Sequence, residues 1–310
     1  MPSGEQEGSI AQARRADMTK TGELVGVIGT GLMGTAITRR LRGAGFNVLG
    51  YDVDPAKLAA LAALGARAAG SLADVARGCG TVVLCVFNTD QVEKVVADLL
   101  AARPAGPPLT VVCTSTVDPD RIAALAAGLP KDRVSFVEAP VSGTSEQTAR
   151  GDALGLIGGD PKAMAAASDV LDAICPRRHY LGAAGNGGRA KLAINLILDI
   201  NRAGLAEGLV FAARVGLDPA AFLKVARESA AYSQIMDVKG DKMVAGDFSP
   251  HGRIAQTLKD ILLTLEQAGR RSQRLPLGEV YADLIKGCVA HGEAELDNSA
   301  VIQELRRRHS

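Results

Sequence analysis

Short runs of Val, Leu and Ile recur along the first half of the chain and then stop, and no other feature of the sequence constrains the fold as tightly. They occupy 23–29 (ELVGVIG), 47–52 (NVLGYD), 81–87 (TVVLCVF), 109–115 (LTVVCTS), 134–140 (VSFVEAP) and 154–159 (LGLIGG). Ala/Leu-rich stretches such as 55–64 and 118–128 lie between them. Runs that are apolar throughout, instead of alternating, must be covered on both faces. The pattern therefore predicts a mostly parallel sheet between two layers of helices. Asp-Pro pairs beginning at Asp54, Asp118 and Asp160 mark helix starts, with Asp as cap and Pro at the first helical position. Beyond about Gly182 the strand-like runs end, and 191–215 reads as one long helix followed by further helical stretches. The expected architecture is α/β: a doubly wound parallel sheet over 22–183, joined by a long interdomain helix to an all-helical domain over 184–310. Residues 1–21 are polar and read as a flexible extension. The boundary is placed in the glycine turn GNGG at 185–188.

Composition narrows the partners. Apolar residues make up 47% of the 310, and charged residues 22% with a formal net charge of +1, so a large core is available and no polyanion is implied. Lys and Arg are scattered; the cluster Arg306 to Arg308 reads as a solvated tail. Neither nucleic acid nor membrane is an expected partner, since no apolar run reaches the roughly 18 residues a bilayer requires. The first residues lack the apolar centre of a secretory signal. The five cysteines form no CxxC pair and read as buried thiols of a reducing, cytoplasmic protein. No His/Cys/Asp spacing reads as a metal site.

The first apolar run ends in Gly29-Thr30-Gly31-Leu32-Met33-Gly34, a GxGxxG turn between a strand and a helix. Such a turn uses its first glycine to bend and its second to let backbone approach a pyrophosphate. The third lets the helix pack on the strand, and the helix N-terminus faces the anion. Asp52, at the end of the second run, stands where a carboxylate would accept from the ribose 2′-OH of a dinucleotide. These residues indicate a Rossmann-type domain. No arginine follows Asp52, so NAD is the preferred cofactor, with NADP second.

The segments GTGLMG, EAPVSGTSEQTARG (138–151), GNGGRAKLAIN (185–195) and KDILLTLEQA (259–268) stand in this order, with ELDNSAVIQ closing the chain. Together they resemble the β-hydroxyacid dehydrogenases, the family of 3-hydroxyisobutyrate, tartronate semialdehyde and L-threonate dehydrogenases. The resemblance implies oxidation of a small 3-hydroxy acid to its semialdehyde or 3-oxo acid, or the reverse. It implies Lys191 as the catalytic lysine and Asn195 as its companion amide. Ser142, Gly143 and Thr144 match the substrate-carboxylate segment. Val86, Phe87 and Thr116 match cofactor contacts, and Lys259 the lysine near the nicotinamide, with Asp260 beside it. Glu138 and Thr144 depart from the family's usual Asp and Gly, and Phe87-Asn88 is closer to the L-threonate-dehydrogenase-like members. A homodimer or homotetramer is implied as well. An imine reductase on the same fold, or a non-catalytic cofactor-binding protein, are the alternatives.

Lys191 and Asn195 are one helical turn apart and share a face, with Asp199 and Arg202 further along the same stripe. The surrounding helix is too apolar to be left in water, so the stripe must face a partner element or a cleft. Asp199 and Arg202 read as a structural ion pair, and His251 as structural. Tyr232, Ser233 and Gln234 are expected near the substrate. Kinetics with both dinucleotides test the reading of Asp52: NAD should be used in preference, and a tenfold preference for NADP would overturn it.

Overall fold

The computed structural model describes residues 22–308, so the expected extension over 1–21 lies outside the described residues. The sheet has nine strands: β1 (Leu24–Ile28), β2 (Asn47–Tyr51), β3 (Arg67–Ala68), β4 (Thr81–Leu84), β5 (Leu109–Cys113), β6 (Val134–Glu138), β7 (Val141–Ser142), β8 (Leu154–Gly159) and β9 (Arg177–Tyr180). Their order is β3-β2-β1-β4-β5-β6-β8-β7, with β9 beside β8. The first six strands run parallel; β8 pairs antiparallel to β6 and β7.

Both faces of the sheet are buried, as the continuous apolar runs require. On β4, Val83 joins one core with Val25, Val27, Val112 and Val137, while Val82 and Leu84 join the other with Ile28, Val111 and Cys113. This is the period of two of a pleated strand. The Asp-Pro helix starts behave as read: Asp54, Asp118 and Asp160 each accept a backbone N–H of the helix they open. Strands β3, β7 and β9 have no counterpart in the sequence reading. β3 and β7 are two residues long, and β9 is the polar edge sequence RRHY.

Strand order turns back beside β1: the chain leaves β1 toward β2 on one side and later returns to β4 on the other. Loops at the carboxyl ends of these strands therefore diverge and leave a crevice, the usual ligand position of such sheets.

The long helix runs Asn186–Arg214, five residues ahead of the start read from sequence. Gly187 and Gly188 are inside its first turn and do not form a boundary loop. They are needed because the helix head presses onto the sheet. A Cβ on Gly187 would lie 2.3 Å from the Leu156 carbonyl oxygen, and one on Gly188 3.2 Å from Pro119. The Glu138 carboxylate, at the end of β6, accepts the Gly187 N–H at 2.8 Å and the Gly188 N–H at 3.2 Å. It thus satisfies two donors that a helix start leaves unpaired. Burial pushes the Glu138 carboxyl above its ordinary value, and the glycine N–H groups oppose this.

The helices after Gly216 pack on this long helix around a separate core of Leu205, Leu209, Met243, Ile261, Ile285 and Val301. No helix among the described residues is long and apolar enough to cross a membrane. A charged clasp ties the two halves together. Asp118 accepts from Gln267 at 3.0 Å and Arg270 at 2.8 Å, and Asp120 from Arg189 at 2.8 Å and Arg271 at 2.9 Å. The C-terminal arginines belong to the helix Val301–Arg308 and are not a free tail. Arg307 holds Glu293 and Glu304, and Arg308 holds Asp283 and Glu304.

Two substitutions on one helix separate packing from propensity. Gly187→Ala should cost about 1–3 kcal/mol through the clash with β8. Gly204→Ala, where a Cβ would meet nothing within 4 Å, should stabilise by about 0.5–1 kcal/mol. Urea unfolding midpoints of the two variants check both signs.

Candidate active site

A cleft of about 1110 Å³ opens along the carboxyl ends of β1, β2, β4 and β5 and continues between the sheet and the helical domain. Gly29, Gly31, Leu32, Met33, Gly34, Asp52, Val86, Phe87, Thr116, Ser142, Gly143, Thr144, Lys191 and Asn195 all line it. Thr30 and Lys259 are not among the residues that line it.

The glycine turn fits a dinucleotide pyrophosphate. Gly29 has φ +87°, and a Cβ there would lie 2.4 Å from the Cys85 carbonyl oxygen; a Cβ on Gly34 would lie 1.9 Å from that of Gly29. Gly31 differs, because a Cβ there would project into open space. That space is the room a phosphate needs. The helix Leu32–Gly43 begins at Gly31 with no side chain capping it, so its first N–H groups are left for an anion. Thr30 is buried, and its N–H donates to Asp52 Oδ2 at 2.7 Å. The Asp54 N–H holds the other oxygen at 3.0 Å, and Lys57 approaches it at 3.9 Å. Asp52 is thereby fixed at the cleft edge with lone pairs to spare.

On the helical side Lys191 is 8% exposed, yet it has no hydrogen bond or ion pair to another described residue. Burial pushes its amine below the ordinary lysine value, and the Asp260 and Asp199 carboxylates oppose that fall. Asn195, one turn on, donates through Nδ2 to Asp260 Oδ2 at 3.1 Å. Asp260 also receives Lys259 Nζ at 2.8 Å and Gln256 Nε2 at 3.2 Å. Lys259 in turn donates to the Thr116 carbonyl and lies over the Phe87 ring, 5.5 Å from its centroid. Three residues read separately from sequence as cofactor-side, Phe87, Thr116 and Lys259, are thus one contact.

Ser142, the last residue of β7, and Gly143, just after it, face the cleft. Gly143 has φ +154°, and a Cβ would lie 2.9 Å from that of Ala153. Thr144 lines the cleft and also caps a helix. Its Oγ1 accepts the Gln147 N–H at 3.1 Å while its own N–H donates to Gln147 Oε1 at 2.8 Å. The two bonds form a capping box at the helix Ser145–Arg150, a motif that T-x-x-Q in the sequence announces, and the Thr144 O–H remains a donor.

Asp199 and Arg202 do pair, at 2.8 Å, and Arg202 also donates to the Tyr281 hydroxyl at 2.6 Å. Burial pushes Asp199 up to about 6 against the pull of Arg202. Of the residues 232–234, Gln234 lines the cleft; Tyr232 is half exposed and donates to Asp237 at 2.7 Å. Two features escaped the sequence reading. Gln256 reaches the cleft wall, signalled only by its one-turn spacing from Asp260. Asp297, fully buried, takes both Lys239 (2.7 and 2.8 Å) and the His251 N–H (2.8 Å), fixing the turn that forms the far wall. No local spacing announces that pair.

Known proteins resemble the chain over most of its length. Residues 24–182 match the family described as the NAD binding domain of 6-phosphogluconate dehydrogenase. Residues 185–305 match that described as the NAD-binding domain of NADP-dependent 3-hydroxyisobutyrate dehydrogenase. L-threonate dehydrogenase of Cupriavidus necator is 31% identical, over 90% of this chain and 95% of the relative. The crystal structure of a 3-hydroxyisobutyrate dehydrogenase from Salmonella typhimurium superposes with TM-score 0.82 at 28% identity, covering 91% of this chain and 99% of that one. Psf3, solved with NADP+ and 2-OPP, gives TM-score 0.82 at 27% identity, over 91% and 99% of the two chains.

The Asp260 carboxylate supports a positive charge on Lys191, so Asp260→Asn should lower the Lys191 pKa further. NMR titration of lysine-labelled protein reads this directly, and an unchanged or raised midpoint would remove Asp260 from the electrostatics of the cleft.

Proposed function

The chain belongs to the β-hydroxyacid dehydrogenase family, an NAD(P)-dependent oxidoreductase, and we propose that it interconverts a small 3-hydroxy acid and its semialdehyde or 3-oxo acid with Lys191 as general acid and base. What carries the proposal is the setting of Lys191: a buried lysine, unpaired among the described residues, on the wall shared by the glycine turn and the Ser142-Gly143 segment. A buried lysine without a partner is costly. A site where the neutral amine and the ammonium both have work to do accounts for it.

When bound, NAD(P) supplies the hydride acceptor or donor, and the chain does the rest. The Gly29–Gly34 turn and its helix N-terminus hold the pyrophosphate, and Asp52 takes the ribose hydroxyls. Its fixed carboxylate would repel a 2′-phosphate, which favours NAD, while Lys57 softens that repulsion. Lys259, by gripping Thr116 and Phe87, sets the wall beside the reacting carbon. The Ser142 hydroxyl and the Gly143 N–H receive the substrate carboxylate. In oxidation the neutral Lys191 amine takes the proton of the substrate hydroxyl; in reduction the ammonium returns it to the developing alkoxide. Asn195 has its nitrogen committed to Asp260, which leaves its Oδ1 to accept an N–H of the Lys191 amine when substrate is bound.

We infer further a homodimer or homotetramer in the cytoplasm. The exposed Ile197, Phe211, Val215, Val225, Leu277 and Val280, all on the helical domain, support an assembly. The cysteines, unpaired and with Cys79, Cys113, Cys175 and Cys288 buried, suit a reducing compartment.

The test is NADH formation from 3-hydroxyisobutyrate, glycerate, L-threonate, 4-hydroxybutyrate and 3-hydroxypropionate. Lys191→Ala should lower kcat about a hundredfold or more on any that is used, with NADH binding retained. Because burial depresses the Lys191 pKa, the oxidation rate should climb with pH to a midpoint below the ordinary lysine value of 10.5. The reduction rate should fall through the same midpoint. Near-normal turnover of Lys191→Ala would refute the role.

A further inference from the structure

We propose that Gln256 is a specificity-determining residue, its side-chain carbonyl accepting a hydrogen bond from a second hydroxyl of the substrate. The chain would then favour polyhydroxylated acids over alkyl-substituted ones. This rests on the hydroxy-acid reading above and goes further, to the carbon chain beyond the reacting centre.

The orientation of the Gln256 amide is fixed by what surrounds Asp260. Three nitrogens converge on that carboxylate: Asn195 Nδ2, Lys259 Nζ and Gln256 Nε2. An ionised carboxylate accepts and cannot donate. The nitrogen of Gln256 must therefore face Asp260, and the flipped amide is excluded. Its Oε1 is turned away from the carboxylate, and no donor among the described residues reaches it. Gln256 lines the same cleft as Lys191 and Asn195, on the helix Ile254–Gly269 that faces the long helix across it. One carboxylate thus aims two carbonyl oxygens, Asn195 Oδ1 from one helix and Gln256 Oε1 from the other.

Some other polar groups on this wall are already engaged. Lys239 is held by Asp297, and His251 lies 3.5 Å from Glu146. Asn298 Oδ1 also lacks a partner, but it is shut into the protein, whereas Gln256 Oε1 is not. Gln256 therefore offers a pre-aimed acceptor open to a ligand. A substrate hydroxyl replaces the water there at little cost. An alkyl group strips that water and gives nothing back, leaving an acceptor unpaired.

The experiment compares kcat/KM for L-threonate and glycerate with that for 3-hydroxyisobutyrate and 3-hydroxypropionate, in wild type, Gln256→Leu and the unbranched Gln256→Met. The wild type should favour the polyhydroxylated pair, and the ratio should fall about tenfold or more in both variants. Equal losses on all substrates, or a wild-type preference for the alkyl acids, would overturn the assignment. Lys191-dependent oxidation with a ratio indifferent to Gln256 removes this inference alone. Failure of the wild type on every hydroxy acid, with NADH still bound, removes the reading beneath it as well.

Discussion

The structure turns on a carboxylate lodged in the head of a helix. Glu138 ends β6, the last of the six strands that run parallel to one another, and takes two N–H groups from the first turn of the helix that carries Lys191 and Asn195. A helix start offers partial positive charge and unpaired donors, and a buried carboxylate needs both. Neither partner is comfortable alone. Burial raises the Glu138 pKa, and the glycine donors hold it back. The contact also dictates sequence at a distance. With the helix so close to β8, position 187 has no room for a side chain. The height and rotation of Lys191 above the sheet edge, and so its place opposite the glycine turn, follow from this one junction.

From there the polar groups organise around Asp260. It gathers a lysine and two amides: Lys259, which also holds Thr116 and lies over Phe87, and Asn195 and Gln256, which line the cleft. A carboxylate with three donors is well satisfied, and its negative charge keeps the nearby buried Lys191 from losing its proton altogether. The amine is thereby held between two opposing influences, burial and Asp260, a setting that suits the proposed acid–base role.

The sheet and the dinucleotide turn were legible in the sequence because their signals are local. Continuous apolar runs specify strands covered twice, and Gly29, Gly31 and Gly34 carry a spacing whose physics needs only a few neighbouring residues. The start of the long helix was misjudged because paired glycines ordinarily disfavour helix. Here close approach to Leu156 overrides propensity, and the approach involves a strand more than thirty residues upstream, which no window on the sequence reveals. Thr144 shows the reverse case. Its capping box is written plainly as T-S-E-Q, a local signal that stands beside its place on the cleft lining. Lys191 looks, from periodicity, like any polar residue on an apolar helix; its lack of a partner is a property of three-dimensional surroundings alone.

The clasp that joins the two halves has a different character from the site it frames. Arg189, Arg270 and Arg271 are 40–48% exposed at their side chains, so water and dissolved ions reach them. Asp260 and Lys259, at 10% and 17%, are sheltered. Screening at high ionic strength acts on the first set far more than on the second. Salt therefore loosens the back of the cleft while the inner network stays tied.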